Sequence, residues 1–135
     1  MTSQVEAVNA ITKRFIVEWD NTTPIAYDNV SYDSEGSDAS WVRLSITPIK
    51  NSQHTIGTKR TRKFERTGIV NIQVFILEGT NTLEAITLAD KALNIYEGEQ
   101  FEGVVCEVGD VVVIGRSGKW YQTNVAIDYN FIETK

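Results

Sequence analysis

The chain is poor in the residues that build most chemical sites: one cysteine, one histidine and one methionine in 135 residues, with only two prolines. A single thiol, Cys106, can close no internal disulfide and cannot supply the paired cysteines of a structural zinc site, and a reducing compartment suits it. His54 lies in a polar stretch without a cysteine or second histidine near it in sequence, so a metal centre or a nucleophile–base dyad lacks its partners. It reads as a solvent-exposed bystander. Cys106, between Val105 and Glu107 in a strand-like stretch, reads as a small buried hydrophobe and not as a nucleophile. No apolar run approaches the ~18 residues that span a bilayer, and Met1-Thr2-Ser3-Gln4 opens no basic segment followed by an apolar one, so neither membrane insertion nor secretion is expected. The sequons Asn21-Thr22-Thr23 and Asn29-Val30-Ser31 then read as turn chemistry. Positive charge is also short: 13 basic against 18 acidic residues leave a net charge of -5. The average field therefore repels polyanions, and any contact with nucleic acid would have to come from a local patch. The glycines bracket strands and turns and form no phosphate-cradling run with Lys-Ser or Lys-Thr behind it. No cofactor, metal or catalytic residue is expected.

What is present fits one domain over residues 1–135, with 41% apolar composition and room for a single core. Ser3 and Glu6 form a capping-box pattern, and Val5, Val8, Ile11, Phe15 and Trp19 recur at helical spacing, which predicts a helix ending near Trp19 ahead of Pro24. Tyr32 to Ser40 is too polar to bury and reads as an exposed loop. Val42, Leu44 and Ile46 alternate with polar residues from Trp41 until Pro48, and Val70, Ile72, Val74 and Ile76 do so between Thr67 and Leu77, which predicts two antiparallel strands. Lys50 to Arg66 between them reads as a long loop. A second helix starts at Asn81 with Glu84 three residues on, carries Leu83, Ile86, Ala89, Leu93 and Tyr96 on one side, and ends before Gly98. Strands return from Val104 to Phe131, broken by a turn at Ser117-Gly118. The order predicts an α+β fold: a mostly antiparallel sheet with two main helices packed on it.

Three groups invite a functional reading. The acids Asp28, Asp33, Glu35 and Asp38 resemble a hard-cation loop in composition, but the spacing fails the calcium-loop template at its sixth and twelfth positions, and a solvated loop is the simpler reading. Lys50, Lys59, Arg60, Arg62, Lys63 and Arg66 fall within one connection against a single acid, Glu65, a local reversal of sign in an acidic chain. Such a segment is either a solvated hairpin or an arm that docks on an acidic neighbour or senses DNA phosphates. Phe64 is its one aromatic, so the stacking platform of a single-strand binder is missing. Trp41, Trp120 and Tyr121 fit either the centre of an interface or the domain's own interior.

Several short motifs then occur in a telling order: Thr23-Pro24-Ile25-Ala26-Tyr27-Asp28-Asn29 after the first helix, and Trp41-Val42-Arg43 at a strand start. Arg66-Thr67-Gly68 leads into Ile72-Gln73-Val74-Phe75, Leu88-Ala89-Asp90 lies in the second helix, and Trp120-Tyr121-Gln122-Thr123-Asn124-Val125 precedes the last strand. Together they resemble the phage tail-terminator-like family over nearly the whole chain. The departures are Tyr32 with an acidic Ser/Gly loop where similar proteins carry a Phe and prolines, and Glu78-Gly79-Thr80-Asn81 in place of a glycine-rich lead into the second helix. The resemblance implies a virion tail subunit, made in the host cytoplasm, that forms a ring, typically a hexamer, at the head-proximal end of the tail. Its implied partners are further copies of itself, the tail tube protein and a head-completion or connector protein, with DNA passing through the lumen. No catalysis is implied. The rival readings are another head–tail connector, neck or minor tail subunit, and a small nucleic-acid-binding module using residues 50–66.

Overall fold

The computed structural model describes residues 3–28, 30, 32, 39–77, 79 and 82–135. Helix α1 spans Gln4–Trp19, strand β1 Ile25–Tyr27, β2 Trp41–Gln53, β3 Lys63–Leu77, helix α2 Thr82–Tyr96, and strands β4, β5 and β6 Gln100–Phe101, Val104–Ser117 and Trp120–Thr134. The strands form one sheet in the order β1-β2-β3-β6-β5-β4. The α+β class expected from sequence is present, but the sheet is mixed and not, as expected, mostly antiparallel: β1 joins β2 in parallel, pairing Ile25 with Val42 and Tyr27 with Leu44. Parallel neighbours need a crossover of a dozen or more residues, and the chain from Asp28 to Ser40 has that length.

Helix α1 begins as the capping box requires, with Ser3 Oγ accepting from the Glu6 amide at 3.2 Å. It stops after Trp19 because Asp20 and Asn21 adopt left-handed φ values of 49° and 55°, which end the helical ladder. Its buried stripe is Ala7, Ala10, Ile11, Phe15 and Trp19. Val5, expected on that stripe, is 69% exposed; at ~100° per residue it lies about 120° round the axis from Ile11. Helix α2 shows the same shift. Its stripe is Ala85, Leu88, Ala89, Ala92, Ile95 and Tyr96, while the expected Leu83 and Ile86 point outward. Alanines bring each helix close to its neighbours, so a reading that favours bulky apolar residues picks the wrong side. The expected N-cap Asn81 lies outside the described residues.

Helix α2 packs over β3, β5 and β6 and against α1. Tyr96 Oη donates to the Ile11 carbonyl at 2.6 Å, and Arg14 Nε donates to the Ile95 carbonyl at 2.8 Å, so a side chain of each helix satisfies a carbonyl of the other. Burial holds the Tyr96 hydroxyl protonated, well above its ordinary range. Beneath the helices, Val42, Val70, Ile72, Val74, Val125 and Ile127 supply the sheet's side of the main core. A second cluster on the opposite face gathers Ala26, Trp41 and Trp120 with Tyr32, Phe75 and Leu77.

Gly68 sits where β3 passes Tyr129 of β6. A Cβ there would lie 2.5 Å from Tyr129 Oη and 2.6 Å from the Thr47 carbonyl. Gly68→Ala is therefore expected to cost about 1–3 kcal/mol of stability by urea unfolding; a cost below ~0.5 kcal/mol, the scale of an ordinary surface substitution, would mean the contact is not constraining.

Candidate functional site

The basic segment is built differently from the expected long loop. Strand β2 runs through Pro48 to Gln53, β3 starts at Lys63, and only His54 to Arg62 connects them. Pro48 is tolerated because β1 flanks β2 only at Val42–Leu44, so at Pro48 the outer side needs no N–H for a ladder, and a register shift follows between Pro48 and Lys50. Strand β6 accompanies β3 to the end, pairing Thr134 with Lys63. From Thr47 to Gln53 every side chain of β2 is exposed, which is why alternation fails there. A period of two appears only where one face is buried.

Within this arm the six basic residues divide. Arg66 is engaged: its guanidinium lies 3.0 Å from Glu133 Oε1, with side-chain exposures of 18% and 14%, and stacks over Phe64. Arg62 Nε donates to the Lys135 carbonyl at 3.1 Å, and the Arg62 carbonyl accepts from the Lys135 amide at 2.9 Å, tying the connection to the end of β6. Lys50, Lys59, Arg60 and Lys63 are exposed and form no ion pair among the described residues. Arg60 has a left-handed φ of 74°, unusual for a residue with a Cβ. The connection is shaped by Thr61, whose Oγ1 donates to the Thr58 carbonyl at 2.7 Å. At its base His54 Nε2 lies 3.7 Å from Glu65 Oε2, both side chains partly exposed.

The other sequence candidates are accounted for by packing. Cys106 is 2% exposed in the core, and burial pushes its thiol up to about 11 against the opposing pull of the Arg14 charge, which leaves it protonated and unreactive. Asp28 accepts from Ser45 Oγ at 2.7 Å; Asp33, Glu35 and Asp38 lie outside the described residues. Among the described residues no group of three or more His, Cys, Asp or Glu is placed to hold a metal ion. Trp41 stacks on Phe75 at 4.1 Å between ring centroids and meets Trp120 edge-on at 6.0 Å. Both indoles fill the domain's own interior, and Tyr121 packs on the main core. An open cleft of about 350 Å³ lies between Lys50 and Glu65 on the arm and Glu107 and Asp128 on β5 and β6.

Sequence reasoning missed one surface. Val108, Val111, Val112, Val113 and Ile114 of β5 are 45–74% exposed. Strand β4 flanks β5 only at Val104 and Val105, and from Asp110 onward no strand among the described residues lies beyond it. The run Val111–Ile114 is legible as strand, but nothing in it tells whether another element covers it.

No protein-family model matches this chain, and neither does any curated protein. A solved structure superposes with TM-score 0.69 over 97% of this chain and 96% of its own, at 15% sequence identity. That likeness shows a shared fold. No helix is long and apolar enough to cross a membrane among the described residues.

Two outcomes are expected. Arg66→Ala should lower stability by about 1–3 kcal/mol, as loss of a charged hydrogen-bonding partner does, whereas Arg60→Ala should change it by less than ~0.5 kcal/mol; equal effects in urea unfolding would contradict the division of the arm. Iodoacetamide should label Cys106 far more slowly in native than in urea-unfolded protein at mildly alkaline pH, and comparable rates by mass spectrometry would show an accessible thiolate.

Proposed function

We propose that the chain is a structural subunit of the tail-terminator type, acting by assembly and not by catalysis. Copies close into a ring, a hexamer as in the proteins it resembles, on the head-proximal end of a phage tail tube. The ring ends tube growth and presents a surface to the head-completion or connector protein, and DNA passes through its lumen without being read. One observation carries the reading: the motifs of resemblance, kept in order along the chain, fall at the joints of the fold. Trp41 opens β2 and packs between Phe75 and Trp120, Gly68 lies under Tyr129, and Leu88 and Ala89 belong to the buried stripe of α2. The exposed basic arm supports the same reading, as a charged element at one end of the sheet suited to a neighbouring subunit or the tube.

Electron microscopy of tails assembled with and without the protein in its native phage tests this. Overlong, headless tubes in its absence are expected; tails of normal length that fail to join heads would move the assignment to a connector or neck subunit. Neutralising Arg60, Arg62 and Lys63 together should impair ring assembly or tail joining at physiological salt, and unchanged assembly would remove the arm from the interface. Salt-sensitive binding of the isolated protein to DNA, with normal tails in its absence, would favour a nucleic-acid-binding module.

A further inference from the structure

The two edges of the sheet are bare over long stretches and opposite in charge. At one edge, among the described residues, no strand flanks β2 on its outer side past Leu44, and the arm it forms with β3 carries Lys50, Lys59, Arg60 and Lys63 without an ion pair. At the other edge, the sequence from Ala92 to Gly115, bounded by Lys91 and Arg116, contains no Lys or Arg and holds the carboxylates Glu97, Glu99, Glu102, Glu107 and Asp110, of which Glu99 lies 3.6 Å from the Arg14 guanidinium of α1. Glu97 accepts from the Gly109 amide at 2.9 Å and the Glu107 carbonyl from the Gly98 amide at 3.3 Å, which fixes this acidic rim against β5. Just past the rim come Val111, Val112, Val113 and Ile114, each roughly half exposed at 45–58%.

We propose that the β5 edge receives the basic arm of a second copy of the chain, so that copies join head to tail. The apolar run supplies the surface to bury, and the acidic rim meets the arm's lysines and Arg60. The alternative, β5 pairing with β5 across a two-fold axis, would bring two acidic rims to one interface and leave both arms unused. A head-to-tail contact is heterologous: each copy keeps one open edge and one open arm, and the series closes only as a ring or continues as a filament. The choice of a second copy as occupant rests on the ring reading above. The geometry of the contact rests on the two edges alone.

The test uses the purified full-length chain and two variants altered only at exposed positions. The edge variant is Val112→Lys with Val113→Lys; the arm variant is Lys59→Glu, Arg60→Glu and Lys63→Glu, which spares the engaged Arg62 and Arg66. Circular dichroism checks that both fold. In analytical ultracentrifugation the wild-type chain should associate with rising concentration, at least ~10-fold more weakly when salt is raised to ~0.5 M. Each variant alone should stay monomeric, and an equimolar mixture should form a one-to-one pair that grows no further, because one partner keeps its arm and the other its edge. A wild-type chain that stays monomeric, an arm variant that still associates, or a mixture that forms no pair would each overturn the proposal. Because these readouts involve no tail, pairing as described together with normal tails in the phage lacking the protein would retain the contact and reject the terminator role, and the converse is equally readable.

Discussion

The ladder between β3 and β6 is the constraint on which the rest of the molecule hangs. It runs without a register shift from Lys63 opposite Thr134 to Leu77 opposite Trp120. Because side chains alternate along both strands, one unbroken register decides what each face receives: Val70, Ile72, Val74 and Ile76 meet Val125 and Ile127 beneath the helices, while Phe75 and Trp120 turn to the other side. A slip of one residue would turn Tyr129 and Phe131 outward and strip the floor from under α2. The same register places Gly68 against Tyr129, where no other side chain fits without displacement.

With the centre fixed, the remaining strands are displaced to the margins. Strand β2 is held by β3 and touched by β1 only at its start, and β5 is held by β6 and touched by β4 only at its start. Both helices lie on one face and bind each other through Tyr96 and Arg14. Among the described residues, the outer sides of β2 past Leu44 and of β5 from Asp110 onward therefore carry no further strand.

Much of this was legible in the sequence where burial is one-sided. The alternation from Trp41 to Ile46 and from Thr67 to Leu77 marks strands with one covered face, and Ser3 with Glu6 marks the start of α1. Legibility failed for three physical reasons. Alanine contributes little to an apolar pattern but dominates close helix contacts, so Ala7, Ala85 and Ala92 went unnoticed while Val5, Leu83 and Ile86 were overvalued. A strand exposed on both faces carries no period, so the outer part of β2, together with the charged start of β3, reads as a loop over Lys50–Arg66. Strand β1, three residues long and paired in parallel with β2, has no local signature at all. Of the basic group, the sequence separated neither Arg66, engaged by Glu133 from the far end of the chain, nor Arg62, tied to Lys135.

The register of β5 shifts twice, between Cys106 and Gly109 and again between Val113 and Gly115, where Gly115 takes a left-handed φ of 101°. The straight portion between the two kinks is only Gly109 to Val113, barely the length of an ordinary strand. Long, flat, apolar edges template fibrils, because each added chain offers the next an identical rail. Interrupting the rail on both sides denies such growth its runway, so a valine-rich margin can stay open in a crowded cell without seeding amyloid.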